Sequence, residues 1–282
     1  MFNLIRLLRP HDWIKNIFLF APLFFTPALF HTPEIITVLF GAIIFSFNAS
    51  SIYVLNDLRD ANTDKLHPQK KSRPIASGRI KKPNAIILFF ILAFISLFAS
   101  YFLSPPFCLI VFIYFMLNVG YCFWLKHIAI IDIYCIAAGF VLRVIAGSVL
   151  ISVTPSAWIL LCTGLLALFL ALAKRRDDLV HRIDESHRES MRGYNIVFID
   201  TCIAIVLGAL LIAYAIYTTI STAINAEHFY WTVPIVLLGI LRYLQITLVE
   251  ERSGSPTMLL YSDTFLLSTI VVWIIVSAIL MY

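Results

Sequence analysis

The sequence predicts an all-α integral membrane protein, a bundle of nine transmembrane helices with a cytoplasmic N-terminus, and three observations carry that expectation. Apolar residues make up 61% of the 282 and charged residues only 13%, with a mean hydropathy of +0.91, outside the range of soluble domains. Apolar runs of about the length a bilayer requires recur along the whole chain. Twenty of its 21 lysines and arginines fall on one side of that series of runs, the asymmetry of the positive-inside rule.

The runs occupy 17–30, 35–55, 85–103, 107–125, 128–151, 157–173, 196–220, 231–248 and 264–281. A helix crosses the hydrocarbon core with about 20 apolar residues, so the first run is short. It lengthens backwards through Trp13, whose indole suits the water interface. A polar, proline-containing stretch precedes it without a small-residue cleavage site, so the N-terminus is expected to persist. Cys108, Cys122, Cys135, Cys162 and Cys202 stand singly with no CxxC spacing, which reads as packing rather than disulfide or zinc chemistry.

Arg6, Arg9 and Lys15 precede the first run, eight cations lie from Arg59 to Lys82, Lys126 ends the fourth run, six lie from Lys174 to Arg192, and Arg242 and Arg252 flank the last connection. The intervening connections at 31–34, 104–106, 152–156 and 221–230 contain none. The chain therefore reads as one transmembrane helical domain, 1–282, integral to a plasma membrane, with cytoplasmic loops at about 56–83 and 174–195. The net charge of +5 concentrates on that face, where it serves as a topogenic signal alone or also attracts anionic lipid or substrate. The bilayer is an expected partner and nucleic acid is not.

The connection after the second run contains Asp57, Asp60 and Asp64 at i, i+3 and i+7, so on a helix continued past the membrane they share one stripe. Asn56 offers a neutral oxygen beside them. Hard oxygen ligands in this number suit Mg2+, or Mn2+, which prefers a few carboxylates, waters and substrate phosphates to a closed protein cage. Lys70, Lys71, Arg73 and Arg79 follow, as a diphosphate requires; a solvated acidic helix end is the plainer alternative. A second polar cluster after the sixth run begins with Lys174 and Arg175, which either form a fork for phosphate or snorkel to the interface. Arg143 lies inside the fifth run, where a charge must face the bundle interior, a partner or a water-filled cavity; substrate contact and a structural hydrogen-bonding role both stand.

The run NDLRDANTD resembles the NDxxDxxxD motif of the UbiA-type membrane prenyltransferase superfamily, a nine-helix bundle with its site at the cytoplasmic side. RPHDWIKN near the start, HPQKKSRPIASG after the motif, YCFWLKH, LRVIAG, the Lys174-Arg175 pair, and ILRY followed by GSP and Asp263 are similar to the decaprenyl-phosphate phosphoribosyltransferase branch, from Leu8 to the last run. That resemblance implies transfer of phosphoribose 5-phosphate from 5-phosphoribosyl 1-diphosphate to a polyprenyl phosphate, releasing diphosphate, in cell-wall precursor synthesis. It implies Asn56, Asp57, Asp60 and Asp64 around Mg2+ and diphosphate, with Lys15, Arg73, Lys126, Lys174 and Arg175 binding substrate. The three aspartates are then the catalytic group.

The second aspartate-rich motif of ordinary prenyltransferases is missing after the sixth run, where Lys174-Arg175-Arg176-Asp177-Asp178 stands instead. Replacing carboxylates by cations suits a donor with a third phosphate, although a prenyl diphosphate-dependent aromatic prenyltransferase with one metal cluster is the alternative. A transporter fits less well, because only Arg143 is deep in a span and the carboxylates gather at one end.

Overall fold

Prolines and capping side chains fix where the helices begin. The computed structural model describes residues 2–66, 70–181, 189–220 and 228–282, all helix and connection, with no strand among the described residues. In chain order the helices are α1 (Phe2–Leu8), α2 (Ala21–Phe24), α3 (Thr32–Arg59), α4 (Ala61–Asp64), α5 (Lys82–Leu103), α6 (Pro105–Phe123), α7 (Ile131–Leu150) and α8 (Ala157–Val180). They continue with α9 (Ile196–Ile220), α10 (Val233–Leu248), α11 (Pro256–Ser262) and α12 (Thr264–Met281). Proline occupies the first turn of α3, α5, α6, α10 and α11, where its missing N–H has no intrahelical partner to lose. Ser156 caps α8 by accepting from Ile159 N, and Asp263 caps α12 by accepting from Leu266 N.

Among the described residues eight helices are long and apolar enough to cross a membrane: α3, α5, α6, α7, α8, α9, α10 with its entering 3-10 turn (Phe229–Thr232), and α12. The exposed surface agrees. Phe94, Phe98 and Phe102 project from α5 at i, i+4 spacing, each more than half exposed and in ring contact with the next, as expected of a face solvated by lipid rather than water. The protein is an integral membrane protein.

The first expected run departs from the rest. It is an 11-residue 3-10 helix, Pro10–Phe20, continuing into α2 and then a short 3-10 turn, Pro27–Phe30. A 3-10 helix rises about 2.0 Å per residue against 1.5 Å in an α-helix, so Pro10–Phe24 covers nearly the roughly 30 Å of a hydrocarbon core in fewer residues. The segment runs antiparallel to α3. Trp13 Nε1 donates to Ser50 Oγ at 3.0 Å and Asn16 Nδ2 to Ser46 Oγ at 2.7 Å.

The contacts divide the chain into two compact units, residues 1–126 with 142–154, and residues 127–141 with 155–282. In the first, small polar residues of α3 (Ser46, Asn48, Ser50, Ser51) are buried and let neighbouring backbones approach; Asn48 donates to Ser96 on α5 at 3.0 Å. Leu19, Leu23, Val38, Phe45, Phe107 and Tyr114 form the apolar core around them. Gly147 on α7 lies so close to the 3-10 segment that a Cβ there would fall 1.9 Å from Leu19 O. In the second unit α8 and α9 pack through Leu168, Phe169, Leu172, Ile199, Ile203 and Leu207. Ser253 Oγ ties the last connection to Ala173 O at 2.8 Å.

Candidate active site

The predicted aspartate stripe breaks in the middle. α3 ends at Arg59, Asp60 caps it with φ −89° and ψ 1°, and α4 begins afresh at Ala61, so the i, i+3, i+7 register of an unbroken helix does not hold. Asp57 and Asp64 still converge, because Arg73 Nη1 lies 3.1 Å from Asp57 Oδ1 and 2.8 Å from Asp64 Oδ2. Asp60 takes a separate direction and accepts from Lys126 Nζ at 2.6 Å. Asn56 Oδ1 accepts from the Cys122 thiol at 3.8 Å. The sequence places Asn56 with the aspartates; the structure gives its oxygen a thiol partner in YCFWLKH, the segment that also delivers Lys126.

Arg73 is held by its own loop. Its N–H donates to Lys70 O, its carbonyl accepts from Ser77 N, and Ile80 N reaches back to Pro74 O. Gly78 makes that reversal at φ 76°, a left-handed conformation that glycine adopts freely. Ile75 and Ile80 are then buried against Leu7, Val54 and Ala61, so apolar packing carries the arginine to the end of α3. The first three residues of HPQKKSRPIASG and residues 182–188 of the second expected loop lie outside the described residues.

A third cation of the cluster was not singled out from the sequence. The guanidinium of Arg9 donates directly to Asp57 and stands over the Tyr53 ring, 5.2 Å from its centroid. Arg9 has a left-handed backbone, φ 52° and ψ 60°, which is strained for a residue with a Cβ. The string RPHDWIKN contained the signal, an arginine before a proline that begins a helix, but nothing local says which carboxylate it meets. Lys15, expected at the phosphates, pairs with Asp12 at 2.6 Å.

Asp57 and Asp64 are suited to a hard divalent cation, since a cationic nitrogen already sits between their oxygens. No three His, Cys, Asp or Glu side chains among the described residues could hold an ion by themselves. The pair therefore fits a metal that completes its shell with water and substrate oxygens, as Mg2+ does.

Arg143 is buried among polar and aromatic partners. Its Nε donates to Asn16 Oδ1 at 2.8 Å and its Nη2 to Tyr114 OH at 3.0 Å, with the guanidinium also over the Phe45 and Tyr114 rings. One helical turn later Gly147 admits the Leu19 backbone, so LRVIAG clasps the 3-10 segment that presents Arg9.

In the second unit the expected cationic fork separates. Lys174 is exposed, whereas Arg175 is 1% exposed, with Nε on Asp132 at 2.9 Å and Nη1 on Asp178 at 3.1 Å. Asp132, fully buried, also accepts from Tyr194 OH at 2.6 Å and Ser190 Oγ at 3.3 Å. Arg176 binds Asp200 at 2.7 Å and Thr247 O at 2.9 Å. Both arginines are thus paired with carboxylates; Asp178 lies three residues on in α8 itself, but Asp132 and Asp200 lie on other helices, which sequence spacing could not foretell. Arg242 pairs with Asp263 at 2.6 Å and Glu250 at 2.8 Å.

These features define a polytopic helical membrane protein with carboxylates and cations clustered at the end of a spanning helix. The UbiA prenyltransferase family model matches residues 17–281, and the chain belongs to that family. It is 34% identical over 221 residues to the decaprenyl-phosphate phosphoribosyltransferase of Corynebacterium glutamicum, covering 76% of this chain and 67% of that protein. It is 30% identical over 287 residues to the decaprenyl-phosphate phosphoribosyltransferase of Mycolicibacterium smegmatis, covering 96% and 90%. Its fold matches that of a UbiA homolog from Archaeoglobus fulgidus bound to GPP and Mg2+, with TM-score 0.77 and 17% identity over 98% of this chain and 99% of the other. The protein is a membrane-embedded transferase.

Proposed function

We propose that the protein transfers phosphoribose 5-phosphate from 5-phosphoribosyl 1-diphosphate to a polyprenyl phosphate, at the cytoplasmic side of a bacterial inner membrane and in the presence of Mg2+. The observation that carries the reading is the group of carboxylates and guanidinium groups at the end of α3: Asp57 and Asp64 meeting Arg73, with Arg9 on Asp57. The names of the two curated relatives support the donor and acceptor, and the metal in the structural neighbour supports a divalent cation.

Mg2+ held by Asp57 and Asp64, with Asp60 and Asn56 nearby, would supply charge neutralisation for the leaving diphosphate. The chain's own groups do the rest. Arg73 and Arg9 present planar N–H forks that match phosphate oxygens, and Lys126 brings a third cation beside Asp60. The acceptor phosphate is anionic at neutral pH, so no side-chain base is needed and the protein's task is alignment behind the anomeric carbon. A new C1–O bond to the acceptor forms as the bond to diphosphate breaks, inverting C1. The acceptor's tail explains the membrane location, since a long polyprenyl chain does not leave lipid for water.

Purified protein is incubated with radiolabelled 5-phosphoribosyl 1-diphosphate and polyprenyl phosphate. Butanol-extractable label is expected with Mg2+ and not with chelator, and mass spectrometry of the lipid fixes donor and acceptor together. Product formed instead from a prenyl diphosphate and an aromatic acceptor would move the assignment to the prenyltransferase reading.

A further inference from the structure

Resting on that function, the geometry points to an ion exchange at the donor site: Arg9 and Arg73 neutralise the aspartates until substrate arrives, and divalent cation and diphosphate each bind more tightly with the other present. The cation takes the carboxylates as the two guanidinium groups pass to the phosphate oxygens. Three carboxylates, Asp57, Asp60 and Asp64, face three cations, Arg9, Arg73 and Lys126. A divalent cation arriving alone must displace a guanidinium and leave it without a counter-ion. Diphosphate arriving alone must compete with carboxylates already bound to those arginines. Arriving together, each supplies the partner that the other removes, so their binding is positively coupled, and the coupling is reciprocal.

Burial sets the order of contact. The Asp57 side chain is 2% exposed while those of Arg9 and Arg73 are 20% and 24% exposed, so an incoming phosphate meets the arginines and not the carboxylate. Both arginines can turn without moving the backbone. Ser50 Oγ donates to Leu8 O at 2.9 Å and Asp12 N to Arg9 O at 2.9 Å, pinning the chain on either side of Arg9. The Arg9 stem is long, and Tyr53 gives its guanidinium a face to rest on. Arg73 is fixed by its own turn. The left-handed backbone of Arg9 fits this role, since conformational strain persists where it aims a side chain at a functional group.

Binding is measured on the full chain in nanodiscs, using electron paramagnetic resonance of free Mn2+ and, separately, radiolabelled inorganic diphosphate. For the unmodified protein, diphosphate affinity should rise at least tenfold when Mg2+ is added, and Mn2+ alone should bind weakly. Arg9→Gln should move the two readouts in opposite directions, tightening Mn2+ alone several-fold and weakening diphosphate in Mg2+ at least tenfold; Arg73→Gln tests the second guanidinium the same way. A merely structural arginine would weaken both or neither, and that result, or Mn2+ binding equally tightly without diphosphate, overturns the exchange. Asp57→Asn separates the two levels. If it abolishes Mn2+ binding while Arg9→Gln and Arg73→Gln change nothing, the metal site stands and only the exchange fails; if it leaves Mn2+ binding intact, the metal reading falls and the exchange with it.

Discussion

Asp57 and Asp60 stand one helical turn apart, yet their surroundings assign them different work. Asp57 is sealed beneath two guanidinium groups, whereas Asp60 is 28% exposed and held by Lys126. Asp57→Asn is expected to lower turnover on the order of 100-fold or more, the scale of removing one preorganised electrostatic contact, with membrane insertion unchanged by protease protection. Asp60→Asn should also lower turnover, by a smaller factor. Asp263 gives a pH prediction. Its hydrogen bond from Arg242, aided by Leu266 N, holds its carboxyl below the usual range, so the stabilisation is complete above the ordinary carboxylate pKa of about 3.9 and is lost as pH falls through the lowered value. Melting curves in detergent should show an acid-side loss of stability that flattens in Asp263→Asn, since asparagine keeps the helix cap but not the charge.

The 3-10 segment is where element-scale reading departed furthest from the structure. Sequence periodicity showed a short run that reached spanning length only by extension backwards through Trp13, because the pattern of apolar residues does not report a rise of about 2.0 Å per residue. What fixes the segment is tertiary: the Arg143 fork on Asn16 and Tyr114, and the bare backbone of Gly147 against Leu19. Gly147→Ala puts a methyl where Leu19 O lies, and neither helix backbone can yield cheaply. The segment should shift, separating Arg9 from Asp57, with a large loss of activity and a lower melting temperature. Arg143→Leu removes a buried hydrogen-bonding partner from two polar groups, at about 1–3 kcal/mol for each group left unsatisfied, measurable by thermal unfolding in detergent. The break at Asp60 was equally hidden, because NDLRDANTD has no glycine or proline to announce a helix end.

At the scale of the molecule, charge sorting and hydropathy together make a topology that labelling can test. Lys71 is exposed in the loop after α3. A cysteine placed there should react with a membrane-impermeant maleimide in inverted vesicles and not in right-side-out ones, whereas the reverse pattern would put the aspartates outside. Eight of the nine expected spans are legible as single long helices among the described residues, because a continuous apolar surface is a property of composition and needs no knowledge of neighbours. The second polar cluster was legible as a cluster but not in its pairings, which join Arg175 and Arg176 to Asp132, Asp178 and Asp200.

The amino-acid sequence alone determined what each segment must dissolve in, that the charge concentrates in alternate connections, and that carboxylates and cations gather around the end of α3. Those are sums over local chemistry, and hydrophobic transfer and the positive-inside bias act on them one segment at a time. Only the tertiary structure decided which cation neutralises which carboxylate. The partners meet across 48 residues for Arg9 and Asp57, 66 for Lys126 and Asp60, and 127 for Arg143 and Asn16. Each pairing depends on helices brought alongside one another at a register that small residues and a broken helix end set, and no local pattern contains that register.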